Sequence, residues 1–116
     1  MSLATSPEFE RVYRKGILYK GNLFSVRVLP NAVGKTRLGL SVSKKVGTAV
    51  KRNSVRRRLK EIFRASVDGL PEDLDFVISA YPASAEASFE ELSEEFSRVL
   101  GKLNKAVVTR GLEENP

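Results

Sequence analysis

The sequence predicts an α+β fold, a single-domain α/β sandwich in the order α-β-β-β-α-β-α. Three observations predict it. The chain has 116 residues, 41% of them apolar, which suits one hydrophobic core and one domain over 1–116, with 1–5 and 111–116 as loose ends. Stretches at 23–29, 36–43 and 75–81 carry the period-two or continuous apolar pattern of strands. Stretches at 48–67 and 88–107 carry apolar residues at helical spacing, the first amid basic residues and the second amid acidic ones.

Taken in order, Ser6-Pro7-Glu8 is a helix start, with Ser at the N-cap, Pro at the first helical position and an acid in the first turn. Gly16 ends this helix, and Phe9, Val12 and Tyr13 share one of its faces. Gly16 to Lys20 is a short strand. Residues 23–29 and 36–43 flank the turn cluster Pro30-Asn31-Ala32-Val33-Gly34 and read as a hairpin. Phe24, Val26 and Val28 join Leu38, Leu40 and Val42 in a core. The opposite face carries Ser25, Arg27, Arg37, Gly39, Ser41 and Ser43 and is expected to stay wet.

Thr48 or Ala49 opens a long basic helix that stops at Asp68-Gly69. Val50, Val55, Leu59, Ile62 and Phe63 are expected to be its greasy edge. At 100° per residue Arg52, Asn53, Arg56, Arg57, Lys60 and Arg64 fall in an arc of roughly 140°, away from Val55, Leu59, Ile62 and Phe63. Asp75 to Tyr81 is the last strand, with Phe76, Ile78 and Ala80 on one side and Val77, Ser79 and Tyr81 on the other. The strand–helix–strand from 36 to 81 would make a parallel crossover. Ser88 with Glu91 forms a capping box before a final helix whose buried stripe runs Phe89, Leu92, Phe96, Val99, Leu100, Leu103, Val107.

Charge is segregated along the chain. Residues 44–64 hold nine Lys or Arg against Glu61, a balance of +8 in a chain whose total is +6. Residues 71–100 hold eight acids against Arg98. A charge run is often only a solvated face, and the acidic block fits that reading. The basic block is threaded with core residues, which favours a packed helix that holds a polyanion. The chain has no Cys and no His, which excludes disulfides, Cys/His zinc sites, a thiol nucleophile and imidazole catalysis. The absence of Cys is compatible with a cytoplasmic protein. No apolar run reaches the roughly 20 residues of a membrane span. Asp73 with Asp75, and Glu90 with Glu94, are acid pairs better explained by a solvated surface than by Mg²⁺ binding. No Gly-rich phosphate loop is present. Lys44 and Lys45, at a strand end, would extend the basic surface.

The run RLGLSVSKKVGTAVKRNSVRRRLKEIFR, residues 37–64, resembles the protein component of bacterial ribonuclease P. Its pattern is a strand ending Ser-Val-Ser-Lys-Lys, then Gly-x-Ala-Val-x-Arg-Asn, then a basic helix. EFERVYRKG upstream and LPEDLDFVISAYPAS and SFEEL downstream are similar to other segments of that family. The resemblance spans about 6–104. It implies a ribosomal protein S5 domain 2-like fold with a left-handed βαβ crossover. It implies a catalytic RNA as partner, which cuts the 5′ leader from precursor tRNA with Mg²⁺ that accompanies the RNA. No catalytic residue, membrane or small-molecule substrate is expected for this chain.

Carried over by motif, Lys44, Lys45, Arg52, Asn53, Arg56, Arg57 and Lys60 are expected to contact the catalytic RNA, and Lys51 and Arg64 of the same basic run are expected beside them. Phe9, Tyr13, Ser25, Arg27, Arg37, Ser41 and Ser43 are expected to line a leader-binding cleft between the first helix and the sheet. The chain departs from the pattern at Ser54, where the family has a second Arg after the Asn, at Arg27, where it often has Tyr, and at Tyr81, where it has Arg. Met1–Thr5 is uncharged where the family carries a basic arm. The alternative reading is a general RNA-binding or ribosome-associated domain with no enzymatic partner; a metal-dependent nuclease built on the acidic block is poorly supported, because those acids lie in the segment of opposite charge to the basic run.

Overall fold

A computed structural model describes residues 6–66, 68 and 73–114, with Ser6 and 104–114 as backbone only. The order is α1 (Ser6–Lys15), β1 (Ile17–Lys20), β2 (Phe24–Pro30), β3 (Arg37–Ser41), α2 (Ala49–Ser66), β4 (Leu74–Ala80) and α3 (Phe89–Glu114). Single 3₁₀ turns at Lys44–Val46 and Pro82–Glu86 precede α2 and α3. This is the expected α+β order. Ser6 falls inside α1 rather than at its cap, a one-residue difference. The backbone is still helical at 111–114. The expected places of Val67, Gly69, 1–5 and 115–116, and of the Val107 side chain, lie outside the described residues.

The expected β2–β3 hairpin does not form. Sheet order is β1-β2-β4-β3, with β4 between the two strands, antiparallel to β2 and parallel to β3. Two inter-strand steps are about 10 Å, which residues 31–36 span easily. Polar anchors decide the outcome. Asp75 of β4 accepts hydrogen bonds from Asn31 Nδ2 at 2.7 Å and from Arg37 Nε and Nη2 at 2.8 and 2.9 Å. The Asn31 amide also donates to the Asp73 carbonyl at 2.7 Å. Both ends of the 31–36 loop are thus tied to the intervening strand. The hairpin that does form is β1–β2, registered Ile17 to Val28 through Lys20 to Ser25.

The turn of that hairpin is held by a carboxylate from α3. Glu95, 2% exposed, accepts the backbone N–H groups of Asn22, Leu23 and Phe24 at 2.8, 2.8 and 3.0 Å. A Cβ at Gly21 would stand 2.5 Å from Glu95 Oε2, so this close approach demands glycine.

The main core lies between one sheet face and the pair α2, α3. Phe24, Val26, Val28, Leu38, Phe76 and Ile78 meet Val55, Leu59, Ile62 and Phe63 of α2 and Leu92, Phe96, Val99 and Leu103 of α3. Phe63 packs edge-on to Phe76 and Phe96, with ring centroids 5.3 and 6.1 Å away. Val50, expected on the greasy edge of α2, is 79% exposed. It stands about 165° around the helix from the mean direction of the four buried residues, and so points away from the sheet.

The second sheet face is less open than its residues imply. Helix α1 lies on it, with Val12 buried against Val77 and with Phe9 and Leu29 packed on both. The molecule is therefore three layers, α1, sheet, then α2 with α3. Among the described residues no helix is long and apolar enough to cross a membrane.

Candidate nucleic-acid interface

Gly47, at φ +146°, links the Lys44–Val46 turn to α2 in a conformation that L side chains rarely adopt. Thr48 Oγ1 then accepts the Lys51 amide at 3.3 Å and caps the helix. Buried Val46 pins the turn, leaving Lys44 and Lys45 exposed. On α2, Asn53, Arg57, Lys60 and Arg64 are exposed in one row, and Arg57, Lys60 and Arg64 make no ion pair among the described residues. Arg56 is half-buried. It donates to Asn53 Oδ1 at 3.1 Å and to the Val42 carbonyl at 3.4 Å, which ties the helix to the end of β3. Arg52 is half-buried too, and its Nε is buried with no hydrogen-bond partner.

Lys51 does not belong to this row. It lies near the opposite side of the helix, where Nζ pairs with Glu86 at 3.1 Å. One turn-pair further along that flank, Arg58 donates to the Ala87 carbonyl at 3.1 Å. These two cations hold α2 against the turn that precedes α3. Glu86 of the acidic block therefore stands directly beside the basic helix.

On the α1 face, β-pairing sets side chains in rows. Lys20, Ser25, Ser79 and Ser41 form one row across β1, β2, β4 and β3; Leu18, Arg27, Val77 and Gly39 form the next. Phe9 sits over Gly39, where a Cβ would come within 2.6 Å of its ring, and is half-buried. Tyr13, 38% exposed, bonds Ser79 Oγ through its hydroxyl at 2.6 Å, and the Arg27 guanidinium lies 4.5 Å from its ring centroid. Ser25 is buried, Ser41 half-buried and Ser43 exposed.

Arg37 and Arg27 share this face but differ in use. Arg37 is clamped to Asp75, itself 1% exposed, and reaches Glu8 of α1 at 3.3 Å. Donating to the Asp75 carboxylate holds the Arg37 guanidinium above its ordinary pKa. Arg11 of α1 stands 3.8 Å from the same carboxylate and donates to the Pro30 carbonyl at 3.3 Å. Arg37 thus fastens α1 to the sheet. Arg27 makes no ion pair among the described residues.

Of the expected cleft residues, Tyr13 and Arg27 come together beside Ser79, Ser41 is the register neighbour of Ser79 on β3, Phe9 and Ser25 are partly or wholly packed away, and Arg37 is a fastener. Ser79 and Lys20 were not expected. The period-two pattern of 75–81 set Ser79 beside Val77 and Tyr81, but only the insertion of β4 between β2 and β3 brings it to the centre of the row.

A sheet face that sets Tyr13 and Arg27 among serine hydroxyls, with an exposed cationic row on α2, defines a small basic domain built to meet a polyanion. The sequence model of the Ribonuclease P family matches residues 1–104. The chain is 38% identical over 105 residues to the ribonuclease P protein component of Desulforamulus reducens, covering 90% of this chain and 93% of that one. It is 36% identical over 98 residues to that of Streptococcus pneumoniae, covering 84% and 79%. The Staphylococcus aureus RNase P protein superposes with TM-score 0.80 at 27% identity, covering 88% of this chain and 94% of that one. The Thermotoga maritima RNase P protein shares the fold, with TM-score 0.79 at 24% identity over 88% and 96%. The chain belongs to the ribonuclease P protein family. It is a protein subunit of that endoribonuclease, an enzyme of tRNA processing.

Proposed function

We propose that this chain is the non-catalytic partner in ribonuclease P, that it binds the catalytic RNA and that it holds the 5′ leader of precursor tRNA while the RNA cuts. The observation that carries the reading is the junction at Arg56, whose bond to the Val42 carbonyl brings the cationic row of α2 to the end of β3 beside the groove. Arg57, Lys60 and Arg64, with Lys44 and Lys45, meet phosphates of the catalytic RNA. The groove beside Tyr13 takes the single-stranded leader, whose bases stack and hydrogen-bond there. Mg²⁺ is held by the RNA in this reading, and the reaction takes place in the cytoplasm.

The role without catalysis is supported by composition: the chain lacks His and Cys. Asp75 is engaged with Arg37, and Glu95 with three backbone amides, so the buried acids serve structure. The test is cleavage of precursor tRNA with Mg²⁺ by the protein alone, by the catalytic RNA alone and by both. Cleavage by the pair at a rate above that of the RNA, with none by RNA-free protein, is expected. Cutting that survives exhaustive removal of RNA would overturn the non-catalytic assignment. No effect of the protein on the RNA would favour a general RNA-binding domain.

A further inference from the structure

We infer that Arg27 makes the groove selective for guanosine at the leader nucleotide that passes over Tyr13. The inference rests on the leader-groove reading and adds a base preference to it. Four observations combine. Arg27 lies over the Tyr13 ring at 4.5 Å from its centroid, so ring and guanidinium form one platform. Tyr13 is itself fixed by its 2.6 Å bond to Ser79 Oγ, so the platform has a defined place on the sheet. Arg27 has no carboxylate partner among the described residues, whereas Arg37 on the same face is bound to Asp75 and Glu8. Its register partner on β4 is Val77, whose side chain offers no acceptor.

A guanidinium held this way keeps hydrogen-bond donors for a ligand. The base edge that accepts two donors side by side from one guanidinium is the O6/N7 edge of guanine; adenine presents a donor in place of O6, and pyrimidines have no N7. A single-stranded leader exposes that edge, because its bases are unpaired. A phosphate would also accept such a fork, so base reading and backbone reading must be separated by experiment.

The experiment uses protein reconstituted with the catalytic RNA. A panel of precursor tRNAs carries each of the four bases in turn at each of the first eight or so leader positions, with mature tRNA as reference. Affinity is measured for wild type, Arg27→Ala and Arg27→Lys. One leader position should favour G over the other bases by about five- to hundredfold, the range typical of a bidentate arginine contact. Arg27→Ala should level the bases at that position only, and Arg27→Lys, which keeps the charge without the fork, should level them as well.

Three results overturn the inference. These are no G preference at any position, a G preference that survives Arg27→Ala, or an equal loss for all four bases with a shallower salt dependence, which would assign Arg27 to a phosphate. In each, wild type still prefers precursor over mature tRNA. If wild type shows no such preference, the leader-groove reading itself falls, and this inference with it.

Discussion

Arg27 and Arg37 stand on one face of one sheet and differ only in what lies beside them. Asp75 is 1% exposed and takes two donors from Arg37 and one from Asn31. Removing Arg37 would leave that carboxylate buried with Arg11, 3.8 Å away, as its nearest cation. Breaking such a pair costs on the order of 3–5 kcal/mol. Arg27 contributes a cation–π contact at the surface, typically about 0.5–1 kcal/mol. Urea unfolding of Arg37→Ala and Arg27→Ala should therefore separate them widely, with the slope of free energy against urea unchanged in both. Equal losses would show that Asp75 is not the anchor of α1 and the 31–36 loop. The sequence reads Asp75 as half of a solvated acid pair with Asp73, and the structure corrects this: Asp75 is buried on Arg37 and Asn31. Its role depends on partners 38 and 44 positions away in the chain, which no local pattern encodes.

At the scale of elements, features set by near neighbours in the chain were the readable ones. The capping box of α3 formed as its spacing required: Glu91 Oε1 accepts the Ser88 amide at 3.0 Å, and Ser88 Oγ accepts the Glu91 amide at 3.1 Å. The bond from the Ser88 backbone, then that of its hydroxyl, pulls the Glu91 carboxyl below its usual range. A carboxyl whose pKa is lower in the folded state adds stability above its unfolded value of about 4.3 and loses it as pH falls through the lower folded value. The melting temperatures of wild type and Glu91→Gln should therefore differ most above about pH 5 and converge toward pH 3. A gap that stays constant with pH would mean that the charge of Glu91 does not act on the cap. The amphipathic arc of α2 was equally legible at Val55, Leu59, Ile62 and Phe63, because a 100° step places them together. Val50 was misplaced by counting composition within a run instead of angle, and Lys51 of the same run stands apart from the exposed row, paired with Glu86. Strand pairing was the larger miss. A turn cluster between two alternating stretches fits a hairpin, and it fits equally a loop that steps over a third strand; the deciding groups, Asn31, Arg37 and Asp75, act at long range.

For the whole molecule, charge is sorted by element. The basic helix α2 and the helix α3, with its acidic first turns, pack side by side on the same face of the sheet, and α2 is joined to the turn before α3 where Lys51 meets Glu86. Net charge alone is thus a poor guide to where RNA binds, and a count of released counterions is a better one. If Arg57 and Lys60 each neutralise one phosphate, the double change to Ala should flatten log K against log[salt] by about 1.4 to 1.8, from a slope of 0.7–0.9 per contact. Both side chains are exposed and make no ion pair among the described residues, so melting should stay within the small range usual for surface changes. A matched control is Lys51→Ala with Arg58→Ala. It removes the same charge from the same helix, but on the flank that faces Glu86 and Ala87. That pair should lower stability through the lost Ala87 contact while leaving the salt slope near the wild-type value. Equal slopes in the two double variants would mean that the RNA responds to the total charge of α2. A flatter slope for Arg57 and Lys60 alone would place the phosphates along the row that runs from Asn53 to Arg64.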